Sequence, residues 1–163
     1  MKKVVGYLLT AIAGGALGGG AGFLISNRLS NKVIEKKDFR IDKFVGYFNL
    51  LDQWIALKED GKSVESYFKY HNYSEIAIYG LGKVGNHLLK ELKETDVKVL
   101  YGIDRKGDAL SSDIEVYTLK EEIPEVDVIV VTPTFDYYDI KQKLEKKVDS
   151  RIVSIDDVIY ELI

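Results

Sequence analysis

Glu75-Ile76-Ala77-Ile78-Tyr79-Gly80-Leu81-Gly82-Lys83-Val84-Gly85 joins a strand-forming run to a G-x-G-x-x-G turn. A helical stretch follows. Then Val97-Lys98-Val99-Leu100-Tyr101-Gly102-Ile103-Asp104 reads as a second strand ending in an acid. A strand before the glycines, a helix after them and an acid beyond imply a nucleotide- or dinucleotide-binding βαβ unit. Each glycine has a physical task in that reading. Gly80 permits the tight turn, Gly82 lets backbone amides approach a pyrophosphate, and Gly85 lets helix pack closely on strand. The helix start offers unpaired N–H groups and the positive end of its dipole to an anion. Asp104, 19 residues past Gly85, stands where an acid accepts hydrogen bonds from a ribose.

Downstream, strands and helices keep alternating. Glu115 to Thr118 is a short strand, and Leu119 to Glu122 a brief helix or turn before Pro124. Val126-Asp127-Val128-Ile129-Val130-Val131 is the apolar run of a buried parallel strand, broken by Thr132-Pro133-Thr134. Asp136 to Lys147 has helical spacing through Tyr137, Ile140 and Leu144. Arg151 to Ile155 is a fifth strand, and a closing helix begins at Asp156 as its cap. Such alternation predicts an α/β fold, a small doubly wound parallel sheet of five strands ordered 3-2-1-4-5.

Ligands in such sheets bind beyond the carboxyl ends of the strands, where the strand order reverses. The candidate binding residues are therefore Gly80, Leu81, Gly82, Lys83, Val84 and Gly85 from the first turn, Asp104, and Thr132 and Pro133 after strand four. Lys83 reads either as a cation near phosphate or as a solvated lysine at a helix start. Arg105 and Lys106 follow the acid and suit a 2′-phosphate, so NAD and NADP both stay open.

Upstream, the class of protein changes. Val4 to Ile25 holds 22 residues without a charge, enough to cross a ~30 Å hydrocarbon core as a helix. Lys2 and Lys3 precede it, whereas Arg28, Lys32, Lys36, Lys37, Arg40 and Lys43 follow. That bias predicts a single span with the C-terminal part in the cytoplasm. The rival is a cleaved signal peptide ending at Ala11-Ile12-Ala13, which leaves an apolar core of only about ten residues. The anchor carries Gly14, Gly15, Gly18, Gly19, Gly20 and Gly22. Their small-xxx-small spacing suits a homo-oligomer or a membrane-protein partner, or no partner at all. The expected organisation is an anchor over 1–26, a charged linker over 27–43, an amphipathic helical segment over 44–73 and the α/β domain over 74–163. Phe44, Tyr47, Phe48, Leu51, Trp54 and Ile55 form the apolar face of that segment, expected to pack on the domain, with a partner surface as the alternative.

Composition excludes several functions. A net charge of −3 argues against nucleic-acid binding. The chain has no cysteine and only His71 and His87, so thiolate chemistry and a histidine-rich metal site fall away. No catalytic residue is assigned: Tyr137 and Tyr138 follow the fourth strand within reach of the cleft, but no nucleophile, base and oxyanion set accompanies them. The expectation is binding without catalysis.

Ile78 to Gly85, Tyr101 to Asp104, Ile114 to Tyr117 and Asp127 to Thr132 together resemble small Rossmann-like modules of bacterial surface-polysaccharide biosynthesis. These are the nucleotide-sugar-binding domains of sugar O-acyltransferases and the nucleotide-binding domains of membrane-bound nucleotide-sugar dehydratases. The resemblance spans Ser74 to about Ser154. It implies that Gly80, Gly82, Gly85 and Asp104 contact a nucleotide, with NAD(P) or a nucleotide-sugar as ligand. Neither the acyl-transferring left-handed helix nor the dehydratase catalytic portion is present, so the resemblance implies binding only. The same glycine turn is similar to cytoplasmic nucleotide-sensing domains of potassium transport systems, which implies an NAD-sensing regulatory subunit. A ligand-free structural adaptor is the remaining alternative.

Overall fold

The structure, a computed structural model, describes residues 37–105 and 114–163. The chain divides into two units, Met1–Tyr47 and Phe48–Ile163. In the first, the described residues are helical, and the helix runs on into the second unit as α1 (residues 37–59). The expected charged linker is thus helical over 37–43. The expected anchor, Val4 to Ile25, lies outside the described residues, among which no helix is long and apolar enough to cross a membrane.

The second unit continues with α2 (Glu65–Tyr70), β1 (Glu75–Tyr79), α3 (Lys83–Leu92), β2 (Lys98–Ile103) and β3 (Glu115–Tyr117). Then come β4 (Val128–Val131), a 3-10 turn at Thr134–Asp136, α4 (Tyr137–Leu144), β5 (Arg151–Ser154) and α5 (Ile155–Tyr160). The five strands form one parallel sheet in the order β3-β2-β1-β4-β5, so the order reverses at β1. Ile76 to Tyr79 and Val128 to Val131 are buried without interruption, as central strands covered on both faces must be.

Alternation along the strands makes two cores. Ala77, Tyr79, Tyr101, Ile103, Ile129, Val131 and Ile152 face Ile140 and Leu144 of α4. Ile78 faces the other way, toward α3, where a Cβ on Gly85 would lie 3.4 Å from its Cγ2. The β3–β4 connection forms a turn rather than a helix, and Ile123 is buried within it. There the Tyr101 hydroxyl donates to the Pro124 carbonyl, and burial pushes its pKa up to about 12.

Two expectations are corrected. Asp156 does not cap the closing helix. Ser154 does, accepting from Asp156 N–H while Asp157 reaches back to Ser154 N–H in a capping box. The inward face of α1 also differs in part: Trp54 is buried as expected, but together with Leu50 and Leu57, whereas Phe48 and Ile55 are exposed. The helix is apolar on two sides, and Glu91 of α3 selects one of them. Its Oε2 accepts from Trp54 Nε1 at 2.8 Å and pairs with Lys58 at 3.0 Å, while Oε1 accepts from Val64 N–H at 3.3 Å.

Candidate functional site

The turn between β1 and α3 is pinned from three sides. Gly80 N–H donates to Ile103 O at 2.8 Å, extending the β1–β2 ladder by one residue. Leu81 N–H donates to Asp104 Oδ2 at 3.2 Å, so the acid after β2 faces the glycine turn. On the β4 side, Thr132 Oγ1 donates to Gly80 O at 2.6 Å. Gly80 itself has φ +89°, and a Cβ there would meet Pro133 Cδ at 2.8 Å. Gly80 therefore contacts Gly85, Thr132 and Pro133, and Leu81 contacts Asp104, at the carboxyl ends of β1, β2 and β4. This is the reversal point of the strand order.

Leu81 does not open toward a ligand. Its side chain is buried and folds onto β2, where a Cβ on Gly102 would meet Leu81 Cδ1 at 2.4 Å. Its amide is engaged by Asp104. Thr132 likewise spends its hydroxyl on the Gly80 carbonyl and holds the turn's shape. Lys83 is exposed at the first helical position, and Val84 beside it is half-buried.

Gly82 behaves unlike its neighbours. Gly80 is required by its positive φ, Gly85 by the Gly80 carbonyl, and Gly102 by Leu81. Gly82 has φ −73° and ψ −160°, a conformation open to any residue, and a Cβ there would meet no described atom within 4 Å. It is the N-cap of α3, a position where Ser, Thr, Asp or Asn would close the helix with a side-chain oxygen. Among the described residues no side chain caps α3, and no acid lies in its first turn, whereas α5 has both. Among the described residues, packing therefore does not require a glycine at 82, and as an N-cap glycine is only slightly less favourable than Ser, Thr, Asp or Asn.

Asn86 was not among the residues singled out by sequence. Its Nδ2 donates to Leu81 O at 2.8 Å and to Gly82 O at 3.0 Å. In a trans peptide the N–H points opposite to the carbonyl. Drawing those two carbonyls toward the helix therefore turns the N–H groups of Gly82 and Lys83 the other way, out of the helix start. An asparagine one turn after the second glycine was the available signal.

Among the described residues no group of three or more His, Asp or Glu could hold a metal ion. Tyr137, expected within reach of the cleft, donates its hydroxyl to Ile152 O at 3.1 Å and serves the core, with burial raising its pKa. Tyr138 is exposed on α4. Two grooves, of about 680 Å³ and 490 Å³, flank α3, and neither is lined by a glycine of the turn. No known protein family, curated protein or solved structure matches the chain.

Proposed function

We propose that this chain is a membrane-anchored, cytoplasmic nucleotide- or nucleotide-sugar-binding module that serves cell-envelope polysaccharide synthesis without catalysing a step itself. The observation that carries the binding part is Gly82, a glycine that, among the described residues, neither backbone conformation nor packing demands, at a helix start that none of their side chains caps. A phosphate seated there accepts from outward-facing N–H groups and meets the positive helix end. Lys83 adds a nearby cation, and Asp104 lies at the distance along the motif where ribose hydroxyls donate. The envelope role and the membrane anchor rest on the resemblance and on the uncharged run Val4 to Ile25.

Calorimetric titration of the full chain, in detergent micelles, with NAD, NADP, ATP and a UDP-sugar tests the reading. Saturable heat with at least one of the four supports it. Silence with all four leaves the domain as an adaptor and overturns it.

A further inference from the structure

The face of α1 that the domain leaves uncovered is organised around a groove. Phe48, Leu51 and Ile55 recur at i, i+3 and i+7, the spacing of one helical stripe. Phe48 is 61% and Ile55 58% exposed. In the sequence the same spacing continues upstream through Phe44 and Ile41. At roughly 200 Å² per phenylalanine side chain, Phe48 alone exposes over 100 Å² of apolar surface. Beside the stripe, α1 and α3 enclose the groove of about 490 Å³, with Leu51, Trp54 and Ile55 as its apolar lining.

The two flanks of the stripe carry opposite charge. On the α3 side, the groove is rimmed by Lys58, His87 and Lys90. Lys58 is already paired with Glu91, so Lys90 carries the charge of that lip. On the other flank, one position past Leu51 and four past Ile55, stand Asp52 and Glu59. We infer that this face is a self-association surface, in which α1 of a second copy lies parallel against α1 of the first. A two-fold axis along the helices sets each copy's acidic flank against the other's cationic lip, and the contact is made twice. Antiparallel pairing sets acid against acid instead. The acidic flank also argues against an anionic lipid surface as the occupant, which would repel Asp52 and Glu59.

The chain has no cysteine, which makes the test clean. In a parallel pair, Leu51 and Ile55 each meet their own counterpart across the axis. Full-length Leu51→Cys and Ile55→Cys should therefore form disulfide-linked dimers under mild oxidation. Asn49→Cys, exposed off the stripe, should not. Lys90→Glu should lose the Leu51→Cys dimer, and adding Glu59→Lys should restore it. Equal cross-linking at Asn49, or none at Leu51 and Ile55, overturns the assignment. So does protection of the stripe by added phosphatidylserine vesicles with no dimer formed, which assigns the face to lipid.

Discussion

The carbonyl oxygen of Gly80 sits so near Gly85 that a Cβ on Gly85 would stand 2.1 Å from it. That oxygen cannot easily retreat, because Thr132 Oγ1 holds it at 2.6 Å. Gly85→Ala is therefore expected to destabilise the domain by about 3 kcal/mol in chemical denaturation. Thr132→Val should cost about 1.5 kcal/mol through the lost hydrogen bond. The double variant should cost less than the sum, because freeing the oxygen relieves the clash. Strict additivity would show that the oxygen is not fixed by Thr132.

Glu91 ties α1, the start of α2 and α3 together through one carboxylate. Glu91→Ala leaves the Trp54 indole N–H and the Val64 N–H without their acceptor. A loss of about 3 kcal/mol is expected, as for buried donors stripped of a charged partner. Trp54 is the single tryptophan, so its emission should shift to the red as α1 loosens. Unchanged emission and stability would contradict this role.

Asp104 has two tasks that one substitution separates. Asp104→Asn keeps an oxygen for Leu81 N–H, so stability should change by less than about 1 kcal/mol. It removes the charge offered to ribose hydroxyls, and nucleotide affinity should fall about tenfold, equivalent to 1.4 kcal/mol. Calorimetry and thermal unfolding of the same variant check both halves.

Acid should weaken the amino-terminal edge of the sheet through Asp127. Its Oδ2 accepts from Ser74 N–H at 2.7 Å and Glu75 N–H at 2.9 Å. The backbone hydrogen bond from Glu75, then that from Ser74, hold its carboxyl below the ordinary 3.8. A lowered folded pKa contributes stability that is present above 3.8 and lost as pH falls through the folded value. Stability measured between pH 5 and about pH 2 should therefore decline less steeply in Asp127→Asn than in the parent chain. Parallel curves would remove Asp127 from the acid transition.

The sheet was readable because its signals are local and redundant. Val126 to Val131 is apolar at nearly every position, and each strand is followed by a turn or helix signal. The order of the strands follows from their alternation with helices. The face of α1 was not readable in this way. Leu50, Trp54 and Leu57 compete with Phe44, Phe48, Leu51 and Ile55 at equally helical spacing. Periodicity identifies an apolar stripe but not which of two stripes meets the domain, and Glu91, 37 residues beyond Trp54, decides it. At the site, the glycines and Asp104 announce themselves by spacing. Asn86 does not, because its role depends on where the turn's carbonyls point. Ser154 displaced Asp156 as the cap because β5 ends one residue earlier than its apolar pattern suggests.

The most direct test of the central claim is nucleotide affinity in Gly82→Ala. The methyl group meets no described atom within 4 Å, so folding should change by no more than about 1 kcal/mol, the loss associated with alanine at an N-cap. A phosphate drawn against that backbone would meet the methyl directly. Calorimetry should then show affinity for the best of NAD, NADP, ATP and a UDP-sugar reduced at least about tenfold, or 1.4 kcal/mol. Equal affinity in the folded variant and the parent chain would contradict the account, because the ligand would not be seated on the glycine turn.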